Sequence, residues 1–247
     1  MIFAKFKGGM LARIFLFFLL VFCFFPNAVS SQENSNSGWL QLGGNAGVGL
    51  PYGEFKQEYK SPMLAGGIDF MVGVPRLNLM FGAEYKRMNM DTESNSIDDT
   101  IPTGGGIHAL GVDTDAKTRM DVFHLSGRFV PWKEAKISPY VGVSGGFKTI
   151  TLSSERTARY KNDDEKLDEN KEVKFALSYS GRVGILYKLQ KNLLLDINAQ
   201  WNGSSRTSYP EDITFGDEGK VDPDMTRSKT DMLVFTVGFV FVNWPES

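Results

Sequence analysis

The sequence predicts an all-β chain: an eight-stranded antiparallel up-and-down β-barrel that spans a membrane. Three observations predict it. Eight segments alternate large apolar residues with small or polar ones, and a period of two belongs to strands. The gaps between those segments alternate long and short, which places tight turns at one end of a sheet and long loops at the other. The chain also opens on an export signal and has no later apolar run near the roughly 20 residues a spanning helix needs. A bilayer offers no water to unpaired backbone groups, so a sheet that crosses it must close on itself.

The segments lie at 39–52, 63–74, 77–90, 117–131, 137–152, 174–188, 192–204 and 230–243. The long gaps are 53–62, 91–116, 153–173 and 205–229. The short ones are Pro75-Arg76, Trp132 to Lys136 and Leu189 to Lys191. The long gaps are polar and charged.

Residues 1–30 read as a Sec signal peptide, and 31–247 as one barrel domain. Lys5, Lys7 and Arg13 form its basic region, and Ile14 to Phe25 its apolar run. Pro26-Asn27 ends that run, and Ala28-Val29-Ser30 supplies small residues for cleavage. Cys23 is the single cysteine and lies inside the run. A lipoprotein signal wants a small residue before its cysteine, and Phe22 stands there. The exported chain is therefore expected to carry no disulfide and no thiolate metal site. Removing three basic residues leaves the remainder more acidic than the full chain's net charge of −2. That balance argues against a nucleic-acid partner, which favours a basic face.

Each segment divides into two faces. Leu64, Ile68, Phe70, Val72 and Val74 oppose Ala65, Gly67, Asp69, Met71 and Gly73. Phe175, Leu177, Tyr179, Val183 and Ile185 oppose Ala176, Ser178, Ser180, Arg182 and Gly184. Leu195, Ile197, Ala199 and Trp201 oppose Asp196, Asn198, Gln200 and Asn202. Leu233, Phe235, Val237, Phe239 and Phe241 oppose Val234, Thr236, Gly238 and Val240. An eight-strand interior barely holds its own side chains, so the small face belongs inside and the large face in lipid. A secreted, lipocalin-like binder would turn the large face inward.

Aromatic residues gather at segment ends. Trp39, Trp132, Tyr140, Tyr187 and Trp244 fall at the short-turn end, and Trp201 toward the long-loop end. They are expected to form the two interface girdles of a membrane barrel.

With its export signal, eight strands, short turns and long loops, the chain resembles the small outer-membrane barrels of the OmpA/OmpX kind and the related porin-family barrel proteins. The resemblance covers 38–244. The last strand also resembles that family's assembly signal, polar-x-Gly-x-x-aromatic-x-aromatic. Thr236, Gly238 and Phe241 match it, while Asn243 holds the place of the final aromatic and Trp244 follows. The resemblance implies a bacterial outer-membrane location and insertion by the barrel-assembly machinery. It also implies contact with outer-membrane lipids and lipopolysaccharide, and loops open to an extracellular ligand. No peptidoglycan-binding domain is expected after the eighth strand.

The small face collects ionisable groups: Asp69, Glu84, Lys86, His124, Arg128, Lys148, Arg182 and Asp196. Buried charges must pair, so a side-chain plug is favoured over an ion path. The histidines are His108, beside Gly104 to Gly106 in a long loop, and His124 within a strand. Small outer-membrane barrel enzymes use His and Ser near the outer rim, yet no spacing here marks a nucleophile. No catalytic residue, cofactor or metal site is assigned. Neither acidic loop, 162–172 or 211–224, has the residue order of a calcium loop, though both could share divalent cations with lipid phosphates. The expected role is structural or surface-interacting. A narrow passive channel is the nearest alternative, followed by a lipid-modifying enzyme.

Overall fold

The structure is a computed structural model and describes residues 39–74, 77–103, 106–132, 135–159, 164–215 and 221–243. The elements are β1 (Leu40–Pro51), α1 (Phe55–Glu58), β2 (Met63–Val74), β3 (Leu79–Thr103), β4 (Gly106–Phe129) and β5 (Ile137–Arg159). They continue as β6 (Asp164–Gln190), β7 (Leu193–Ser204), β8 (Arg206–Phe215), β9 (Val221–Lys229) and β10 (Met232–Asn243). Strands β1 to β7 and β10 form a closed antiparallel barrel. The ring closes between first and last strand, from Leu40↔Asn243 to Pro51↔Met232. Strands β8 and β9 form a separate hairpin.

The period-two pattern decides which way each side chain points. On β10 the burial alternates without a break, buried at Met232 and exposed at Leu233 and so on to Asn243. Leu64, Val143 and Leu177 are each 71% exposed, and Ile68, Val183 and Phe241 are exposed on the same outer wall. An apolar belt of this extent is unfavourable in water at about 25 cal/mol per Å². In lipid it carries no such cost. The chain is therefore an eight-stranded transmembrane β-barrel of the outer-membrane type. A lipocalin-like binder requires the opposite orientation of the two faces.

Three of the expected long loops are instead paired backbone, the 205–229 gap folding into the β8–β9 hairpin from Arg206↔Lys229 to Phe215↔Val221. The β3–β4 pairing does not stop near residue 90 but runs on from Asp91↔Thr118 to Thr103↔Gly106. The β5–β6 pairing likewise runs from Ser153↔Lys171 to Arg159↔Asp164. Apolar alternation stops where lipid stops, but backbone pairing needs no apolar side chain. Hydroxyl–carboxylate pairs across the strands take over there, with Ser94 and Ser96 donating to Asp115 and Asp113. Register shifts mark the emerging hairpins, between Asn89 and Asp91 and between Arg156 and Thr157. Such bulges bend and twist a strand as it leaves a sheet. At the opposite end the β2–β3 turn uses Asn78 at φ 50, a left-handed value that asparagine tolerates.

Candidate functional site

The lumen is filled in three layers. All eight ionisable residues assigned to the small face are buried in the lumen, most of them in the middle layer, with Lys148 beside the methionine layer at the level of Val122. Asp69 lies 3.1 Å from Arg128, and Arg182 pairs with Glu84. Lys86 donates to Gln200 Oε1 at 2.6 Å, and Arg182 reaches the same oxygen at 2.9 Å. Gln200 passes its own Nε2 to Ser180 at 2.7 Å. Lys148 donates to the Thr230 carbonyl at 2.7 Å instead of to a carboxylate. The layer is thus a cross-barrel network, in which partners far apart in sequence meet because opposite walls are a side chain's length away.

His124 stands at its centre. Nε2 lies 2.9 Å from Ser178 Oγ, and Nδ1 lies 3.0 Å from Ser144 Oγ and 3.5 Å from Glu84 Oε1. Ser178, the His124 imidazole and the Glu84 carboxylate in that order form the skeleton of a nucleophilic triad. Here each is buried, and apolar layers close both ends.

The short-turn layer contains Trp39, Met71, Met80, Val130, Tyr140, Leu186, Leu194, Val240 and Val242. Two of these correct the girdle assignment. Trp39 and Tyr140 are each 2% exposed and point inward. Glycines make the room: a Cβ at Gly73 would stand 2.2 Å from the Trp39 ring, and one at Gly184 2.5 Å from that of Tyr140. The Tyr140 hydroxyl donates to Asp196 at 2.8 Å, and the Arg128 guanidinium lies 5.4 Å from the ring centre. Tyr140 is therefore part of the charge network. The sequence carries the signal: Tyr140 has the parity of Ser144 and Lys148, and Trp39 that of Gln41. The remaining described aromatics of the set do face outward. Trp132 is 63% and Trp201 39% exposed, and Tyr187 is half-buried with Lys136 over its ring.

The third layer, at the long-hairpin end, has no counterpart among the sequence expectations. Met63, Met88, Met90, Met120 and Met232 pack inside the barrel with Val122, Ile150 and Val234. Phe55 and Tyr59 of the α1 region and Tyr209 of β8 cover them. Their rings lie 5.1–5.9 Å apart. Tyr59 donates to the Pro210 carbonyl at 2.8 Å, which ties the α1 cover to the hairpin. Glu54 fastens the outer edge, 3.2 Å from Arg206 and 3.4 Å from the Lys229 amide. The Lys229 N–H, then Arg206, hold the Glu54 carboxyl below its usual pKa.

Among the described residues, no group of three or more His, Cys, Asp or Glu stands close enough to hold a metal ion. Residues 1–30, read above as a signal peptide and containing Cys23, lie outside the described residues, as do Trp244 and the His108 side chain.

No family profile and no curated protein sequence matches the chain. Solved structures similar to it include Neisserial surface protein A, at 12% identity over 85% of this chain and 100% of that one, TM-score 0.39. A major outer membrane protein from Thermus thermophilus matches at 11% identity over 83% and 99%, TM-score 0.44. The outer membrane protein OprG from Pseudomonas aeruginosa matches at 14% over 84% and 96%, TM-score 0.41. At such identities and scores no function carries across, and the barrel assignment rests on strand register and the apolar belt.

Proposed function

We propose that this barrel resides in the bacterial outer membrane as a sealed structural scaffold, and that its extended hairpins are its working surface. The observation that supports this reading is the filling of the lumen. Cross-paired charges occupy the middle, and an apolar layer closes each end. Water-filled conduction needs a continuous polar path, and the methionine layer interrupts it. The same closure keeps substrate from Ser178 and His124, which supports a non-enzymatic role. The long hairpins are assigned to the cell exterior and the short turns to the periplasm, following the general habit of such barrels. Outer-membrane lipids and lipopolysaccharide are then the neighbours, and an extracellular ligand would meet β3–β6 or β8–β9.

The test is conductance in a planar bilayer. The sealed reading expects no steady current from the wild type, and a steady current overturns it. A narrow channel is the second reading, favoured by one observation. Arg128 Nε and Nη1 and Arg182 Nε have no hydrogen-bond partner among the described residues, and water would serve them. Sidedness has its own check. Protease added to intact cells should cut at Lys171 in the β5–β6 hairpin, and cutting confined to the Trp132–Lys136 turn would reverse the orientation.

A further inference from the structure

A charged group lies on the outer wall instead of in the lumen. Along the outward face of β4 the residues run Leu125, Phe123, Asp121, Arg119, and on β3 they run Tyr85, Arg87. The Tyr85, Phe123 and Phe147 rings form a row across three strands, with centroids 4.8 and 5.2 Å apart. The next outward position on each strand, toward the long-hairpin end, brings Arg87 opposite Asp121. Asp121 is buried against the wall and accepts from the Tyr85 hydroxyl at 2.6 Å and from Arg87 Nε at 2.7 Å. Arg119 Nε lies 3.5 Å from its other oxygen. Both arginine side chains remain well exposed, at 47% and 38%. Arg87 hydrogen-bonds Asp121 through Nε and Arg119 stands in ion-pair range of the other oxygen, so one carboxylate serves both guanidiniums.

A structural ion pair needs one cation for one acid. Here two guanidiniums share one carboxylate, leaving net positive charge on the wall directly above a row of aromatic rings. Aromatic rows mark the depth where acyl chains give way to headgroups. Guanidinium forks match phosphate oxygens in charge and geometry. We propose that Arg87 and Arg119 form a docking site for the phosphate headgroup of an outer-leaflet lipid, held in place by Asp121. The aromatic row beneath them would flank the lipid's chains. The inference rests on the membrane-barrel reading and on the long hairpins facing outward.

The experiment compares lipid retention by native mass spectrometry after insertion into defined vesicles. The vesicles are phosphatidylcholine alone, or phosphatidylcholine doped with diphosphorylated lipid A or with the same lipid dephosphorylated. The wild type should retain the phosphorylated lipid and not the dephosphorylated one. The double variant Arg87→Gln/Arg119→Gln should retain it at least about tenfold less, while still showing the heat-shifted gel mobility of a folded barrel. Arg206→Gln, which removes a cation elsewhere, should match the wild type. Phosphate-independent retention, or equal retention by the double variant, overturns the proposal. Complete displacement by inorganic phosphate would make the site one for the free anion and overturn the lipid assignment. Failure of the wild type to insert overturns the membrane reading and the site together, whereas insertion without phosphate-dependent retention overturns the site alone.

Discussion

The middle of the lumen and its methionine layer fill the same narrow space by opposite means. In the middle, Asp69–Arg128 and Glu84–Arg182 are directional pairs, and each member is buried only because its partner is present. At the long-hairpin end, Met88 and Met120 face one another across β3 and β4 with no bond to satisfy. Unbranched thioethers adapt to whatever gap remains. The comparison teaches that a sealed barrel has one layer that specifies and another that conforms. Their tolerance to substitution should differ accordingly.

The largest effect should come from breaking a directional pair. Arg128→Ala leaves the Asp69 carboxylate buried and unpaired, and should cost about 3–5 kcal/mol in urea unfolding from lipid vesicles. It should also admit ion leak in a planar bilayer. Replacing both members by apolar residues, as in Asp69→Leu with Arg128→Met, should recover most of the loss. An Arg128→Ala midpoint equal to wild type would erase the distinction between the layers.

The outer wall supplies the next largest effect. Ile197 is 49% exposed on the lipid face, and its neighbour Asn198 is buried in the lumen. Ile197→Arg should cost about 2–4 kcal/mol near mid-membrane. Asn198→Ser should change far less, because the lumen accepts a polar side chain, although it removes the partner of the Thr236 hydroxyl. Equal folding yields into vesicles would remove the facing assignment.

In the conforming layer, Met120→Leu should cost less than about 1.5 kcal/mol, since it preserves volume and breaks no hydrogen bond. A loss comparable to that of Arg128→Ala would mean the methionines specify structure after all.

The smallest effect lies at the cover. Glu54 has a lowered pKa through Lys229 and Arg206. Its contribution is therefore complete above the unfolded value, about 4.3, and is lost as pH falls through the lower folded value. Limited proteolysis of β8–β9 should rise across that acidic window, and Glu54→Gln should flatten the rise. An identical pH profile in that variant would assign the effect to other groups.

These contrasts also explain what the sequence makes legible. Lipid imposes a strict period of two, so Ile197 and Asn198 can be sorted from sequence alone. The charged lumen residues follow from the same parity. Tyr140 is misplaced when its position near a strand end is allowed to outweigh its parity. The strand extensions are invisible for a different reason: beyond the membrane neither face is apolar, so Asp91 to Thr103 reads as a loop although its backbone is paired. The methionine layer is hidden because methionine on the small face, as at Met88, breaks the size rule without breaking the period. Arg87 and Arg119 have no visible meaning until the register places them around Asp121.

The closing pair between β1 and β10 has a consequence in time. Leu40 meets Asn243 across the seam, so the barrel is incomplete until nearly the last described residue has arrived. Until then β1 and β7 are open edges, and every unpaired amide on them would cost several kcal/mol in the hydrocarbon. The chain cannot enter the bilayer one strand at a time. It must be held, nearly whole, at a place where both edges are wet or borrowed by another sheet, and then close in a single event. A translation product that stops short of β10 would not be a smaller barrel. It would be a sheet with two adhesive margins and no membrane it can enter.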